Sequence, residues 1–179
     1  MDFGFSEEQD MLRESARHFL ESECPMPWVR RMMEDETGYA EEQWQHMAVL
    51  GWLGLIFPER CGGSGLNIID LTVVLEEMGR CVLPGPFFAT VLLGGSAIDL
   101  GGSDAQKQQY LPRIIDGSLK TTLAHLEPSA RWDADGIQLP ATKRGSDHVL
   151  GGTKLFVHDA HNAGLLVVPA RTAGGITLF

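Results

Sequence analysis

The texture of the chain changes at Gly117, and that change constrains the fold more than any single motif does. Before it, apolar residues recur at helical spacing. After it, short Thr-, Val- and Leu-rich runs alternate with turn chemistry. Ser6 opens S-E-E-Q, a capping-box pattern in which the Gln9 side chain reaches back to the cap. Met11, Leu12, Ala16, Phe19 and Leu20 then share one face of a helix that fades near Pro25. A second helix is predicted over 41–50, with Trp44, Met47 and Ala48 inward. A third covers 69–78 and is apolar on most sides until Glu76 and Glu77, the pattern of a helix inside a bundle. A fourth starts near Pro86, and a fifth at Ser103 with a kinking Pro112 inside it. Beyond Gly117, residues 120–126 are Thr- and Leu-rich, and 148–150, 154–158, 165–171 and 176–179 read as short strands. G-S-D, G-G-T, D-A-H-N-A-G and T-A-G-G lie between them. The class is α+β, a helical half followed by an all-β half. The chain stops inside its last predicted strand, so a longer protein is expected.

The net charge of −10 disfavours a partner with a phosphate backbone, which calls for a basic face. The cysteines Cys24, Cys61 and Cys81 form no CxxC and no metal-ligand spacing, which suits a reducing, cytoplasmic setting. Met1 leads into D-F-G-F-S-E-E-Q, without the basic start of a secretory leader. The longest uncharged run, 81–98, is broken by Pro84, Gly85, Pro86, Gly94 and Gly95, whereas a membrane span needs about 20 continuous apolar residues.

The stretch C-G-G-S-G-L, 61–66, sits just ahead of the third helix, where glycine loops often hold phosphates. Nothing basic follows Gly65 until Arg80, so a Walker-type loop is excluded. No strand precedes it, as a dinucleotide fingerprint requires, and G-x-S-x-G lacks its last glycine. Gly62, Gly63 and Gly65 are expected to give positive φ in a tight helix–helix connection. His158 and His161 make H-D-A-H, read as a turn pair because a structural zinc takes four ligands. Glu76 and Glu77 are read as a solvated helix end.

In order and spacing, several segments resemble the acyl-CoA dehydrogenase family: F-G-F-S-E-E-Q-D-M-L-R, G-W-L-G-L-I-F-P-E-R-C-G-G-S-G-L, V-L-E-E-M-G-R, L-P-R-I-I-D-G-S, L-E-P-S-A-R-W-D and G-T-K-L-F-V-H-D-A-H-N-A-G-L-L-V-V-P-A-R-T. The resemblance implies an N-terminal α-helical bundle over 1–117, then an incomplete antiparallel β-barrel domain over 118–179, with a second helical bundle to follow. It implies FAD as cofactor, an acyl-CoA thioester as substrate, an electron-transfer flavoprotein or similar acceptor, and a homo- or hetero-oligomer. In the family a glutamate removes the α proton and flavin N5 takes a hydride from the β carbon. That glutamate belongs to the second bundle, so no catalytic residue is assigned in this chain.

The flavin contacts implied by the resemblance come from the β half, where the sequence departs from the family. T-E-P-x-A-G-S-D is here Leu126-Glu127-Pro128-Ser129-Ala130-Arg131-Trp132-Asp133, and K-x-W-I-T is Lys154-Leu155-Phe156-Val157-His158. The resemblance assigns Leu123, His125, Leu126, Phe156 and His158 to the cofactor and Trp132 and Asp133 to the substrate. Leu126 offers only backbone groups, Phe156 can pack flat on a flavin ring, and His158 stands where a threonine hydroxyl would approach N5. Glu127 belongs to the β-half motif and is not the base. Three functions compete: a dehydrogenase, a partner subunit that has lost flavin or base residues, and a related oxidase of the same architecture.

Overall fold

Helix α1 (Glu7–Glu23) starts on the expected capping box: Gln9 N donates to Ser6 Oγ at 3.2 Å, and Ser6 N donates to Gln9 Oε1 at 3.1 Å. The protein is described by a computed structural model that covers residues 4–179. Residues 1–3, which include the first letter of the family-like opening, lie outside the described residues. Ala16 and Leu20 are buried as predicted, but Met11 is exposed, because it lies about 140° round the helix from Ala16. Helix α2 (Met26–Met32) was not expected after Pro25. Prolines in a first helical turn lose no hydrogen bond, so Pro25 and Pro27 start a helix here instead of only ending one.

Helix α3 (Glu41–Val49) buries Trp44 and Met47, and the Trp44 indole donates to Gly117 O at 2.9 Å. Helix α4 (Ile68–Arg80) is capped by Asn67 and Asp70 and buries Leu71, Val73, Val74 and Met78. A π-helical segment, Phe88–Gly95, runs directly into α5 (Ser96–Gly101), and α6 (Asp104–Ile115) carries Pro112 without ending. The chain divides into two compact units, Met1–Gly85 with Leu111–Ser118, and Pro86–Tyr110 with Leu119–Phe179, and one boundary falls inside α6. No helix among the described residues is long and apolar enough to cross a membrane.

In the first unit α1 and α4 lie side by side and run parallel. Gln9 Nε2 donates to Asp70 Oδ1 at 2.9 Å, and further along Arg17 grips Glu77 with Nε at 3.1 Å and Nη2 at 2.6 Å. Arg80 adds Nε at 2.7 Å to Glu77 and Nη2 at 3.1 Å to Glu21. Glu77 is therefore no solvated end: it is 3% exposed, and only Glu76 faces water. The Arg17 guanidinium holds the Glu77 carboxyl down at about 2 against the opposing push of burial, with Arg80 assisting. A depressed carboxyl stabilises the fold fully above its ordinary value of 4.5 and ceases to do so as the pH falls towards 2. Arg17→Ala in the full-length protein is expected to lower stability at pH 7 by less than the loss of a fully buried partner would, since Arg80 remains and the guanidinium is half-exposed. Chemical unfolding at pH 7 and at pH 3 checks it: the gap between wild type and variant should narrow at pH 3, and a constant gap would contradict the ion pair as its source.

The second unit holds every strand of the described residues: β1 (Thr121–Leu123), β2 (Ala141–Arg144), β3 (Asp147–Leu150), β4 (Leu165–Val167), β5 (Pro169–Thr172) and β6 (Gly175–Leu178). They form three two-stranded ladders and do not close into a barrel. Two ladders, β2–β3 and β5–β6, are antiparallel hairpins, but β1 and β4 pair in parallel, which corrects the all-antiparallel expectation. The chain between β1 and β4 is long enough for the crossover that parallel pairing needs. The predicted strand 165–171 splits at Val168, because β4 pairs with β1 while Val168 exchanges both backbone bonds with Phe179, at 2.8 and 2.9 Å. Leu139, Ala141 and Ala170 pack between the hairpins. Residues 154–158 form no strand, because Phe156 adopts a left-handed φ of 50° and Lys154 is drawn inward.

Candidate functional site

The segment that follows β1 carries the first set of site residues. Ala124 N donates to Val167 O at 2.9 Å, which extends the β1 direction by one residue, and Leu126 O then accepts from Leu155 N at 2.7 Å. That bond brings the 123–127 and 154–158 stretches together. Glu127 and Lys154 clip them: Lys154 Nζ lies 2.7 Å from Glu127 Oε1 and 3.2 Å from His125 O. Both ionic side chains are nearly buried, at 8% and 7% exposure. Glu127 also accepts from Gln138 N at 3.0 Å and Leu139 N at 3.0 Å. Burial pushes the Glu127 carboxyl up, but Lys154 and the two backbone N–H groups outweigh it and hold it below the usual carboxylate range. Glu127 is thus an ionised tie, unsuited to accepting a proton from a substrate.

The π-helical segment closes one side. Gly94 lets it lie against β1, where an added Cβ would meet Thr121 Cγ2 at 2.6 Å and Thr122 N at 2.8 Å. Phe88 and Leu93 are thereby presented to a cavity of about 360 Å³, lined also by Leu123, His125, Leu126, Trp132, Phe156 and His158. His158 meets the Phe88 ring edge-on, at 5.8 Å and 65°. His125 stacks on Trp132 at 5.7 Å and 11°. Its Nε2 lies 3.2 Å from the Trp132 carbonyl, which can only accept, so that nitrogen carries the proton. Phe156 and Trp132 are 82% and 71% exposed, large aromatic faces left open at this cavity.

Six of the seven residues assigned from the sequence therefore line one cavity, and Asp133 does not. Its carboxylate takes Arg131 Nη2 at 2.7 Å and Nε at 3.1 Å, and accepts from Gly136 N at 3.1 Å. Arg131 holds the Asp133 carboxyl below its ordinary value, and Arg131 also reaches Asp135 at 3.4 Å. The sequence assigns Phe88 and Leu93 no site role, since both fall in the helix that starts near Pro86. Their role depends on the wide π turn and on the Gly94 contact, and the Gly94-Gly95 pair is the one sequence signal of that close approach. His161 does not line the cavity, and among the described residues no group of three or more His, Cys, Asp or Glu is placed to hold a metal ion. A second cavity of about 120 Å³ lies elsewhere in the same unit, between α5, α6, β4 and β6, and has no imidazole or carboxylate in its lining.

Residues 6–118 match the sequence profile described as acyl-CoA dehydrogenase, N-terminal domain. The chain is 32% identical over 185 residues to the mitochondrial isovaleryl-CoA dehydrogenase of Pongo abelii, covering 98% of this chain and 44% of that protein. It spans less than half the length of that relative. Among solved structures it is similar to an acyl-CoA dehydrogenase complexed with FAD from Bacillus anthracis, with a TM-score of 0.85, 26% identity, and 98% and 30% of the two chains covered. It is also similar to a chain in a structure named for the electron transferring flavoprotein of Acidaminococcus fermentans, with a TM-score of 0.82, 30% identity, and 100% and 48% covered.

Proposed function

We propose, for a chain that belongs to the acyl-CoA dehydrogenase family, that its cavity takes the flavin ring of FAD in an enzyme that places an α,β double bond in an acyl-CoA thioester. The observation that carries this reading is the convergence of Leu123, His125, Leu126, Trp132, Phe156 and His158 on one cavity. About 360 Å³ lies at the lower end of the range of about 300–1,000 Å³ usual for small-molecule sites. Open aromatic faces and two imidazoles suit a flat heteroaromatic ring with polar edges. The lining contains no cation for a diphosphate, and Arg131 beside it is already paired with Asp133 and Asp135.

When bound, FAD supplies the acceptor for the hydride from the β carbon. The chain's own part is to bind and orient. Phe156 packs a ring face, His158 offers a ring N–H to a polar edge, and Leu126 contributes backbone groups only. The Glu127–Lys154 tie keeps the two segments in register. The proton-accepting group comes from outside these residues. On this reading 1–117 is the helical domain and 118–179 part of the β domain. The setting is cytoplasmic, and electrons pass to an electron-transfer flavoprotein or similar acceptor within an oligomer. The loss of the threonine hydroxyl at Leu126 and the pairing of Arg131 favour one second reading, a flavin-deficient partner subunit of a heteromeric dehydrogenase.

Absorption spectra of the purified full-length protein separate the two. The first reading expects oxidised-flavin bands that bleach on adding saturated acyl-CoA thioesters, and their absence would favour the second. In the same preparation, the reduction potential of His158→Thr should differ from that of wild type, because the substitution replaces an imidazole N–H at the flavin edge by a shorter hydroxyl. Identical potentials and coincident spectra would remove His158 from the flavin edge.

A further inference from the structure

The parallel pairing of α1 and α4 in the first unit brings together two cysteines 57 residues apart. Contacts step along the two helices from Gln9–Asp70 through Arg17–Glu77 to Glu21–Arg80, and then reach the C-caps, Cys24 and Cys81. The Cys24 thiol is buried and donates to Cys81 O at 3.7 Å. The Cys81 thiol is half-buried and donates back to Met78 O at 3.3 Å. Cys61, the third thiol, is buried elsewhere in the unit.

We propose that Cys24 and Cys81 are a reversible dithiol–disulfide pair that, when oxidised, ties the C-terminal ends of α1 and α4. The two thiols occupy adjoining caps, and forming the bond gives up the Cys24 contact with Cys81 O and the Cys81 contact with Met78 O. A small disulfide such as oxidised glutathione is the oxidant. The more accessible Cys81 sulfur, as thiolate, attacks it, forms a mixed disulfide and releases one glutathione thiolate. The Cys24 thiol then loses its proton and attacks the Cys81 sulfur, and the second glutathione leaves as thiolate. The two released thiolates take up the two protons, so two protein thiols are oxidised and one glutathione disulfide is reduced to two thiols.

Burial, and next the neighbouring Cys81 thiol, push Cys24 up to about 12. Cys24 is therefore protonated near neutrality and makes the second step slow, with a rate that rises about tenfold per pH unit as its thiolate fraction grows. Closing a loop of this length restricts the unfolded chain, and the thermal midpoint should rise by about 5 °C or more.

The test treats the native full-length protein with oxidised glutathione at pH 8, followed by intact mass measurement and a non-reducing peptide map. Expected in wild type are the loss of two hydrogens, no retained glutathione, a linked peptide pair containing Cys24 and Cys81, and a raised thermal midpoint that dithiothreitol reverses. Cys24→Ser should retain one glutathione on Cys81, and Cys81→Ser should acquire none at Cys24. A wild-type protein that keeps glutathione on Cys81 without the 24–81 link would overturn the proposal. So would a pair that fails to react, or one that links only in denaturant.

Discussion

Glu127→Gln should destabilise the second unit by about 3–5 kcal/mol, the usual cost of leaving one member of a buried ion pair alone. Lys154 is 7% exposed on its side chain and would lose its anion, keeping only neutral acceptors, His125 O at 3.2 Å and the new amide oxygen. The new amide can still accept from Leu139 N, but one of its two ends now presents donors where Gln138 N also donates. The uncompensated charge pulls Lys154 towards water, which separates the 123–127 and 154–158 segments that bound the cavity. Chemical unfolding of the full-length variant gives the cost, and Glu127→Gln combined with Lys154→Met isolates the unpaired charge. The double variant should recover at least half of the loss, since an apolar replacement of both partners removes the buried charge. A single variant within about 1 kcal/mol of wild type would show that the tie is solvated and carries little. Because the Glu127 carboxyl is lowered, the tie's contribution is complete above the ordinary carboxylate range and fades as the pH falls through the lowered value.

Gly63→Ala should cost about 4 kcal/mol or more, the scale reached when a residue has no room and its neighbours are backbone. A Cβ at Gly63 would meet Phe57 O at 2.1 Å, Phe57 C at 2.6 Å and Gly54 O at 2.7 Å, none of which can swing aside. Gly62→Ala is the control. Its φ is 91° and its added Cβ meets nothing within 4 Å, so only left-handed strain of about 1 kcal/mol is expected there. Thermal unfolding of the two full-length variants ranks them, and equal losses would mean that φ, not space, is what the loop requires. Positive φ holds at Gly62 and Gly65, as expected, but Gly63 is glycine for close approach. The same packing answers the phosphate question raised by C-G-G-S-G-L. The N–H groups of Gly62, Gly63, Ser64, Gly65 and Leu66 are spent on the carbonyls of Glu59, Pro58, Gly54, Phe57 and Leu55, so none is left in that run to cradle an anion.

Local rules were enough wherever the partners of a bond lie within a few residues. The Ser6–Gln9 box, the starts of α3 and α6, and the passage from helix to strand between Ile115 and Thr121 were legible in the sequence because each depends on neighbours in sequence. The family-like motifs likewise picked out six residues that share a cavity without any distance being known. What the sequence could not decide are features made by residues far apart in the chain. Glu77 reads as a helix-end charge until Arg17, on a different helix, desolvates and pairs it. Residues 154–158 look like a strand until Lys154 is pulled to Glu127 and Phe156 turns left-handed. β1 and β4 pair in parallel because the chain between them is spent on other structure, and no alternation pattern encodes that direction. Cys24 and Cys81 have no spacing signal at all, since their proximity comes only from two helices packed side by side with their C-caps level. Periodicity reports which face of an element is buried, and only the tertiary structure decides what it is buried against.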